Sequence, residues 1–314
     1  MHPAFSVIFF TVSSGAGFGL FALLFLADAA KLGGGFTVSQ ILIAGVAALI
    51  LVSAGLMSSV FHLANPKNAW RAFNRFRTSW LSREGVFALA FYPFAVAYLG
   101  LTWLNWDSLE YVRLIAGASA TLLAWITLFS TGMIYGCLKT IRQWNTPLVP
   151  ANYLALGHFS GALLLLLVAY SGTSGLSAFL INIVLALLIF SAVLKAIYYF
   201  WIANPGVVST IQTATGFTRA QVKLLDAGHT HDTFLTQEFG FQIARRYAVL
   251  LKVLVFVATF VLPLLVLAGA VGQPGFALTL IATGLALLGL VVERWLFFAE
   301  ARHVVNLYHG AQRC

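Results

Sequence analysis

Charged side chains are scarce in this sequence: only 9% of its 314 residues are Asp, Glu, Lys or Arg, while 61% are hydrophobic. Soluble domains carry charge on about a quarter of their residues, because water must solvate their surface. A chain this poor in charge cannot cover itself with polar groups, which excludes a soluble globular protein. Lipid must therefore be its solvent.

Cysteine is almost absent as well, since the chain has only Cys137 and Cys314. Two thiolates fall short of the four that an iron–sulfur cluster or a structural zinc site usually needs. We therefore expect neither a cluster nor a metal site in this chain. A disulfide is an alternative, but two unpaired thiols are favoured because both cysteines are predicted toward the reducing side of the membrane. The formal net charge of +9 indicates basic cytoplasmic loops and acidic partners rather than nucleic acid, because the chain is a membrane protein.

Long apolar runs, by contrast, are abundant. A helix needs about 20 mostly apolar residues to cross roughly 30 Å of hydrocarbon. The sequence therefore predicts an all-α integral membrane protein, a single domain over residues 1–314 with a bundle of eight transmembrane helices. The predicted helices cover about 5–28, 38–62, 85–104, 110–139, 151–171, 175–202, 247–271 and 275–299.

Local features add detail to three of these helices. The first run has no basic stretch before it and no small-residue cleavage site at its end, so we interpret it as a retained helix rather than a signal peptide. Its glycines Gly15, Gly17 and Gly19 allow a neighbouring backbone to approach closely. Pro93 and Pro263 are expected to kink helices 3 and 7.

Basic residues are distributed unevenly among the connections. The loops after helices 1, 3, 5 and 7 are short and nearly uncharged, with Lys31 as their main basic residue. Because Lys and Arg are retained in the cytoplasm, we expect both termini and the even-numbered loops there, with the chain in the bacterial inner membrane. The basic residues of the even-numbered loops and the C-terminal tail are Lys67, Arg71, Arg75, Arg77, Arg83, Lys139, Arg142, Arg219, Lys223, Arg245, Arg246, Arg302 and Arg313.

The densest polar stretch joins helices 2 and 3 and runs from His62 to Glu84. Both residues are predicted at the cytoplasmic membrane interface, where an imidazole and a carboxyl group can bind a quinone oxygen and exchange protons. The alternative is structural: His62 hydrogen-bonds at a helix end, and Glu84 is an N-terminal cap favoured by the helix dipole. On spacing alone the structural interpretation is favoured.

The same stretch carries a family resemblance. The pattern HL-x-N-P-x-x-A-x-R-A from His62, followed by SWLSRE over 79–84, resembles the membrane anchor subunits of the dimethyl sulfoxide reductase family. The resemblance covers nearly the whole chain and the eight helices. The opening HPAFS, with FFT at 9–11 and SGAG at 14–17, is similar to the branch that serves cytoplasmic quinone-linked sulfite dehydrogenases. Further matching positions are Met133, Ile134, Tyr135, Trp144, Pro147 and the run 234–246.

The resemblance implies a heterotrimer. A molybdopterin catalytic subunit and a ferredoxin-like iron–sulfur subunit would dock on this anchor, which would pass electrons between the nearest cluster and a membrane quinone, ubiquinone or menaquinone. The anchor itself would be non-catalytic for the substrate half-reaction. By match to the family's motif, His62 and Glu84 are the quinone-site residues, with Arg83 beside them. Lys67, Arg71, Arg75 and Arg77 would face the cluster subunit or lipid phosphates.

The direction of electron flow has two interpretations. A basic docking surface inside the cell favours sulfite oxidation that reduces quinone, whereas exported dimethyl sulfoxide-type reductases would use a quinol-oxidising anchor. A secondary transporter is a third hypothesis, but it requires polar groups near the bilayer midplane. The charges of this chain cluster at predicted helix ends, which argues against transport.

Several other polar residues receive weaker interpretations. His158 can in principle pair with His62 as a haem ligand, but the family is generally haem-free and a hydrogen bond inside the bundle is the preferred interpretation. His229, His231 and Asp232 are expected to be solvated. Lys195 and Lys252 are expected to extend to the membrane interface. No role is assigned to Arg113, Glu293 and Glu300.

Overall fold

A computed structural model describes residues 3–61, 63, 65–170, 174–203, 209–226, 231, 246–269 and 275–314. The described residues include eight helices long and apolar enough to span a membrane, as predicted, and no β-strand. We number these helices α1 (Phe5–Ala29), α2 (Val38–Phe61), α3 (Trp80–Leu104), α4 (Glu110–Gly136), α5 (Leu148–Ala169), α6 (Ser174–Ala203), α7 (Ala248–Ala268) and α8 (Phe276–Ala299).

The predicted start of α3 at residue 85 was wrong, because the helix begins at Trp80. Ser79 is its N-cap, and the Ser79 hydroxyl accepts a hydrogen bond from the Ser82 amide at 3.4 Å. A capping side chain sets where a helix begins, whereas hydropathy shows only where its apolar part begins. Glu84 therefore lies in the second turn of α3, and the interpretation of Glu84 as an N-terminal cap is also wrong.

The first helix forms the centre of the bundle. Most of α1 is buried, and it packs against α2, α4, α5 and α8. A Cβ atom at Gly17 would collide with the backbone of α2, and one at Gly19 would collide with the Gly157 carbonyl group of α5. The prediction that small residues here permit close approach of helices is confirmed for these two glycines.

The loops after α2, α4 and α6 lie at one end of the bundle, which we call the basic end. The described chain ends lie there too: Ser58 near the end of α2 donates to the Ser6 carbonyl at 3.0 Å. On the C-terminal side, the Val304 amide donates to the Thr140 carbonyl at 3.1 Å. Ile8 and Ala301 belong to one buried cluster at this end.

Proline affects α3 and α7 differently. Pro93 lies inside α3, which continues through it to Leu104. In α7, the segment Val257–Val261 forms a π-helical turn that ends two residues before Pro263. Proline has no N–H to donate to the preceding turn, and a widened turn is one way in which a helix accommodates this.

Candidate functional site

Glu84 is a buried carboxyl group near the basic end. Its residue is 4% exposed, and its Oε1 atom accepts a hydrogen bond from the Thr131 hydroxyl of α4 at 2.5 Å. The Thr131 hydroxyl also lies 3.0 Å from the Thr127 carbonyl oxygen. Among the residues that the structure describes, no cation forms an ion pair with Glu84.

The Thr131 hydroxyl group can form a hydrogen bond with Glu84 in either protonation state of the carboxyl group. A hydroxyl group has one hydrogen to donate and two lone pairs to accept. When Glu84 is ionised, Thr131 donates to it. When Glu84 is protonated, its O–H can donate to Thr131, whose hydrogen then turns to the Thr127 carbonyl. The site can therefore hold or release a proton without leaving a buried polar group unpaired.

His62, the other residue of the predicted quinone pair, lies outside the described residues. The same holds for His2 of the opening motif and for 234–245 of the later matching run. The predicted proximity of His62 and Glu84 therefore stays a prediction.

Residues 66–78 form a segment that we call the strap, because it folds back over the first two turns of α3. Its first ten residues, Pro66–Arg75, are 3₁₀-helical. The Ser82 hydroxyl donates to the Ala72 carbonyl. The rings of Phe76 and Phe87 meet edge to face at 5.5 Å, and the Phe73 ring lies beside Gly85. The strap thus packs on the start of α3 through Ser82, Gly85 and Phe87, whereas the Glu84 carboxyl group faces Thr131 of α4.

Arg83 holds the strap in place. Its Nε atom donates to the Phe76 carbonyl at 3.0 Å and its Nη2 atom donates to the Arg77 carbonyl at 2.8 Å. The guanidinium carbon also lies 4.3 Å from the centroid of the Trp80 ring. Two contacts to the strap and one to Trp80 of α3 therefore fix the Arg83 side chain. The sequence had predicted that Arg83 binds quinone.

All four predicted docking residues are exposed on the strap: Lys67, Arg71, Arg75 and Arg77. Trp70, between the first two, is 59% exposed. An exposed aromatic ring among basic residues is typical of a segment that meets either a membrane surface or a protein partner. The strap therefore presents a basic surface beside the start of the helix that carries Glu84.

A buried aromatic cluster lies next to Thr131 on α4. Tyr135, one helical turn after Thr131, contacts Trp144 at 5.1 Å and stacks on Tyr153 at 6.0 Å between ring centroids. Trp144 is 1% exposed and its indole N–H donates to the Phe297 carbonyl at 3.1 Å. Tyr135 and Trp144, both among the family-like positions, are therefore packed together.

Sequence reasoning missed a buried charge cluster between α6 and α8. Lys195 and Glu293, each 1% exposed, form an ion pair. Arg294, 4% exposed, places its Nε atom 3.2 Å from the second carboxylate oxygen of Glu293. The expectation that Lys195 extends to the interface was wrong, because its side chain is buried in this ion pair. The pair could not be predicted from a local sequence pattern, because Lys195 and Glu293 are 98 residues apart.

Lys252 and Glu300 form a second ion pair nearer the bundle rim, with an Nζ–Oε1 distance of 2.6 Å. Their side chains are 21% and 20% exposed, so this pair is only partly buried. The Tyr199 ring lies between the two pairs, 4.8 Å from the Lys195 Nζ atom and 5.2 Å from the Lys252 Nζ atom. Lys252 is thus partly exposed and paired, and its position relative to the membrane interface stays a prediction.

His158 of α5 is hydrogen-bonded between helices, as preferred from the sequence. Its Nδ1 atom lies 2.7 Å from the Leu154 carbonyl, so Nδ1 carries the proton. The Nε2 atom then accepts from the Trp125 indole N–H at 2.8 Å. The pair lines an apolar groove of about 620 Å³ between α4, α5 and α6. Both ring nitrogens are used, which disfavours a haem-ligand role.

At the opposite end, a polar network joins α1, α3 and α4. Arg113 pairs with Asp28 at 2.6 Å and with Glu110 at 2.7 Å, and the Tyr98 hydroxyl donates to Asp28 at 2.7 Å. These contacts satisfy charged groups at helix ends and connect three helices. They give Arg113 the structural role that its sequence position did not reveal.

Metal-binding groups are sparse. In the described ranges, no three His, Cys, Asp or Glu side chains come together in a way that could hold a metal ion. Cys137 is exposed, and the Cys314 Sγ atom lies 3.3 Å from the His303 carbonyl oxygen. His231 is exposed, whereas His229 and Asp232 lie outside the described residues.

A bundle of eight apolar helices with a buried carboxyl group defines the class as a multi-pass membrane protein. The family model described as "DMSO reductase anchor subunit (DmsC)" matches residues 1–299, so the chain belongs to this family. It is also 33% identical over 329 aligned positions to a subunit of the sulfite dehydrogenase of Allochromatium vinosum, covering 98% of this chain and 99% of that protein. The resemblance noted in the sequence is therefore confirmed over the whole chain.

Proposed function

We propose that this chain is the membrane anchor and quinone-binding subunit of a heterotrimeric oxidoreductase. An iron–sulfur subunit and a molybdopterin catalytic subunit are its partners, and electrons pass between the partner's cluster and membrane quinone. Membership of the anchor family and similarity to a sulfite dehydrogenase subunit support this proposal.

The observation that carries the proposal is the buried carboxyl group of Glu84 with its Thr131 partner. Ionisable groups within a bilayer are costly, so they are retained mainly where they function. A quinone takes up two electrons and two protons to become quinol. Glu84 can hold a proton for this exchange because the Thr131 hydroxyl accommodates both of its protonation states. These two groups therefore fit the needs of a quinone oxygen.

The other residues divide the remaining tasks. His62 lies just after α2 in sequence and is assigned as the second hydrogen-bonding group toward quinone. Arg83 acts through the strap, which it fixes over α3. Lys67, Arg71, Arg75 and Arg77 present positive charge on the outer side of the strap and suit an acidic surface of the iron–sulfur subunit.

We place the basic end in the cytoplasm of a bacterium, with the chain in the inner membrane, because Lys and Arg are retained on that side. Both chain termini are then cytoplasmic. Partners docked there favour sulfite oxidation that delivers electrons to quinone. A reporter fused after Cys314 should be active only in the cytoplasm. Activity only in the periplasm would contradict this orientation and favour a quinol-oxidising anchor of a reductase.

The site assignment is tested by the variant Glu84→Gln, which keeps the hydrogen bond to Thr131 but cannot exchange a proton. Removal of a general acid–base group typically costs about 10² to 10⁴ in rate. Quinone-linked turnover of the whole complex should fall by about a hundredfold or more, while turnover with an artificial dye stays unchanged. The matched control is Glu110→Gln at the opposite end, which should leave both activities intact. Normal quinone turnover in Glu84→Gln would contradict the assignment.

A further inference from the structure

The Lys195–Glu293–Arg294 cluster places three charged groups inside the bundle. Lys195 and Glu293 are 1% exposed and Arg294 is 4% exposed. A buried ion pair is weak support for stability, because apolar side chains of similar volume often stabilise equally well or better. Intramembrane charges are instead a common mark of function. The cluster therefore requires an explanation beyond holding α6 against α8.

The cluster is not electrically neutral. Two cations meet one carboxylate, so it carries a net charge of one positive unit. The neighbouring Lys252–Glu300 pair is balanced and adds no net charge. Because the excess charge is buried, solvent and salt screen it far less than they screen a surface charge.

Two ring contacts and one turn of α4 connect this charge to Glu84. The Arg294 guanidinium carbon lies 3.9 Å from the centroid of the Tyr153 ring. Tyr153 stacks on Tyr135 with an interplanar angle of 19°. Tyr135 follows Thr131 by one turn of α4, and Thr131 donates to Glu84. The two tyrosine rings therefore occupy the space between the Arg294 guanidinium group and the turn of α4 that carries Thr131.

The groups that face the cluster come from every helix packed around it. From α1, the Thr11 hydroxyl lines the same small cavity as Arg294. The titratable and charged neighbours are Tyr153 of α5, Tyr198 and Tyr199 of α6, Lys252 of α7 and Glu300 of α8, with Tyr135 of α4 and Glu84 of α3 beyond Tyr153.

We propose that the Lys195–Glu293–Arg294 cluster is a fixed positive charge that stabilises negative charge on a quinone held beside Glu84. This inference rests on the proposed function and adds positioning residues to it. Arg294, directed at Glu84 through the two tyrosine rings, is the principal cation. Glu293 holds both cations in place and partly offsets their charge, so the two residues act on the site with opposite signs.

The experiment compares an anionic and a neutral ligand. The anionic probe is 2-hydroxy-1,4-naphthoquinone, which is ionised at neutral pH, and the neutral probe is 1,4-naphthoquinone. Their dissociation constants are measured by calorimetry on the purified complex for wild type, Arg294→Gln and Glu293→Gln. The ratio of the two constants reports the charge at the site, whereas a general loss of packing affects both ligands alike.

Arg294→Gln should weaken anion binding relative to the neutral probe by about tenfold, and Glu293→Gln should strengthen it by a similar factor. Arg294→Lys should restore most of the ratio. Lys195→Gln should act in the same direction as Arg294→Gln, and it replaces that variant if the latter does not assemble. The double variant Lys195→Gln/Glu293→Gln leaves the net charge unchanged and should retain the wild-type ratio.

Two results separate this inference from the proposed function. In the first, the wild-type complex binds both probes, but the ratio of the two dissociation constants is unchanged in the variants or changes in the same direction in Arg294→Gln and Glu293→Gln. This result overturns the inference and leaves the proposed quinone site standing. If the wild-type complex binds neither probe, the proposed quinone site is overturned and the inference with it.

Discussion

Two buried carboxyl groups near the basic end have opposite surroundings. Glu84 meets the Thr131 hydroxyl and, among the described residues, no cation, whereas Glu293 meets Lys195 and Arg294. A carboxylate held by two cations stays ionised and acts as a fixed charge. A carboxyl group that faces a hydroxyl can change its protonation state without breaking an ion pair. Burial alone therefore does not show whether a carboxyl group can exchange a proton; its partners decide that.

The largest expected effect comes from making the same substitution at both positions. Glu293→Leu leaves two buried cations without their anion, which should destabilise the protein by about 3–5 kcal/mol. Glu84→Leu breaks no ion pair, and Thr131 can still donate to the Thr127 carbonyl, so we expect a loss within about 1 kcal/mol. Thermal unfolding of the purified protein measures both. Equal losses of stability in Glu293→Leu and Glu84→Leu would show that the ion pairs of Glu293 do not distinguish it from Glu84.

The next largest effect is expected when Arg83, which hydrogen-bonds to the strap, is replaced. Arg83→Ala removes two hydrogen bonds to strap carbonyls, and because both are solvent-exposed each contributes about 1 kcal/mol. Amide hydrogen exchange should become faster in the strap but remain slow in the core of α3. Arg83→Lys should retain part of the protection, because it keeps the charge but not the fork geometry. Unchanged exchange in Arg83→Ala would mean that other contacts hold the strap.

Thr131 should have a moderate effect on turnover and little on stability. Thr131→Val keeps the shape but removes the hydroxyl, so Glu84 loses the partner that suits both of its protonation states. We expect quinone-linked turnover to fall by about tenfold, equivalent to about 1.4 kcal/mol, with dye-linked turnover unchanged. The control Thr131→Ser keeps the hydroxyl and should stay near wild type. Equal turnover in the Val and Ser variants would remove Thr131 from the site.

Hydropathy allowed the eight spans to be predicted, and a local motif pointed to Glu84, whose role at a quinone stays a prediction. The sequence did not reveal the start of α3, which depends on the Ser79 cap. It also did not reveal the Lys195–Glu293 pair, because residues 98 positions apart leave no local periodicity. Arg83 was found by motif, but its hydrogen bonds depend on how the strap folds back.

The smallest effects are expected on the outer side of the strap. Single substitutions of Arg71, Arg75 or Arg77 by Gln remove exposed charges, which contribute about 0.2–1 kcal/mol each. The affinity of the purified iron–sulfur subunit for the anchor should fall less than about fivefold for each, and more at low salt than at high salt. An effect that does not depend on salt would place that arginine in a buried contact instead.

The central claim, that quinone is bound beside Glu84, is tested most directly by photolabelling the complex with an azido-quinone and mapping the labelled peptides. The account predicts label in residues 66–84 or 127–135 that excess unlabelled quinone removes. Competed label found only in the groove lined by Trp125 and His158, or only near Asp28 and Arg113 at the opposite end, would contradict it.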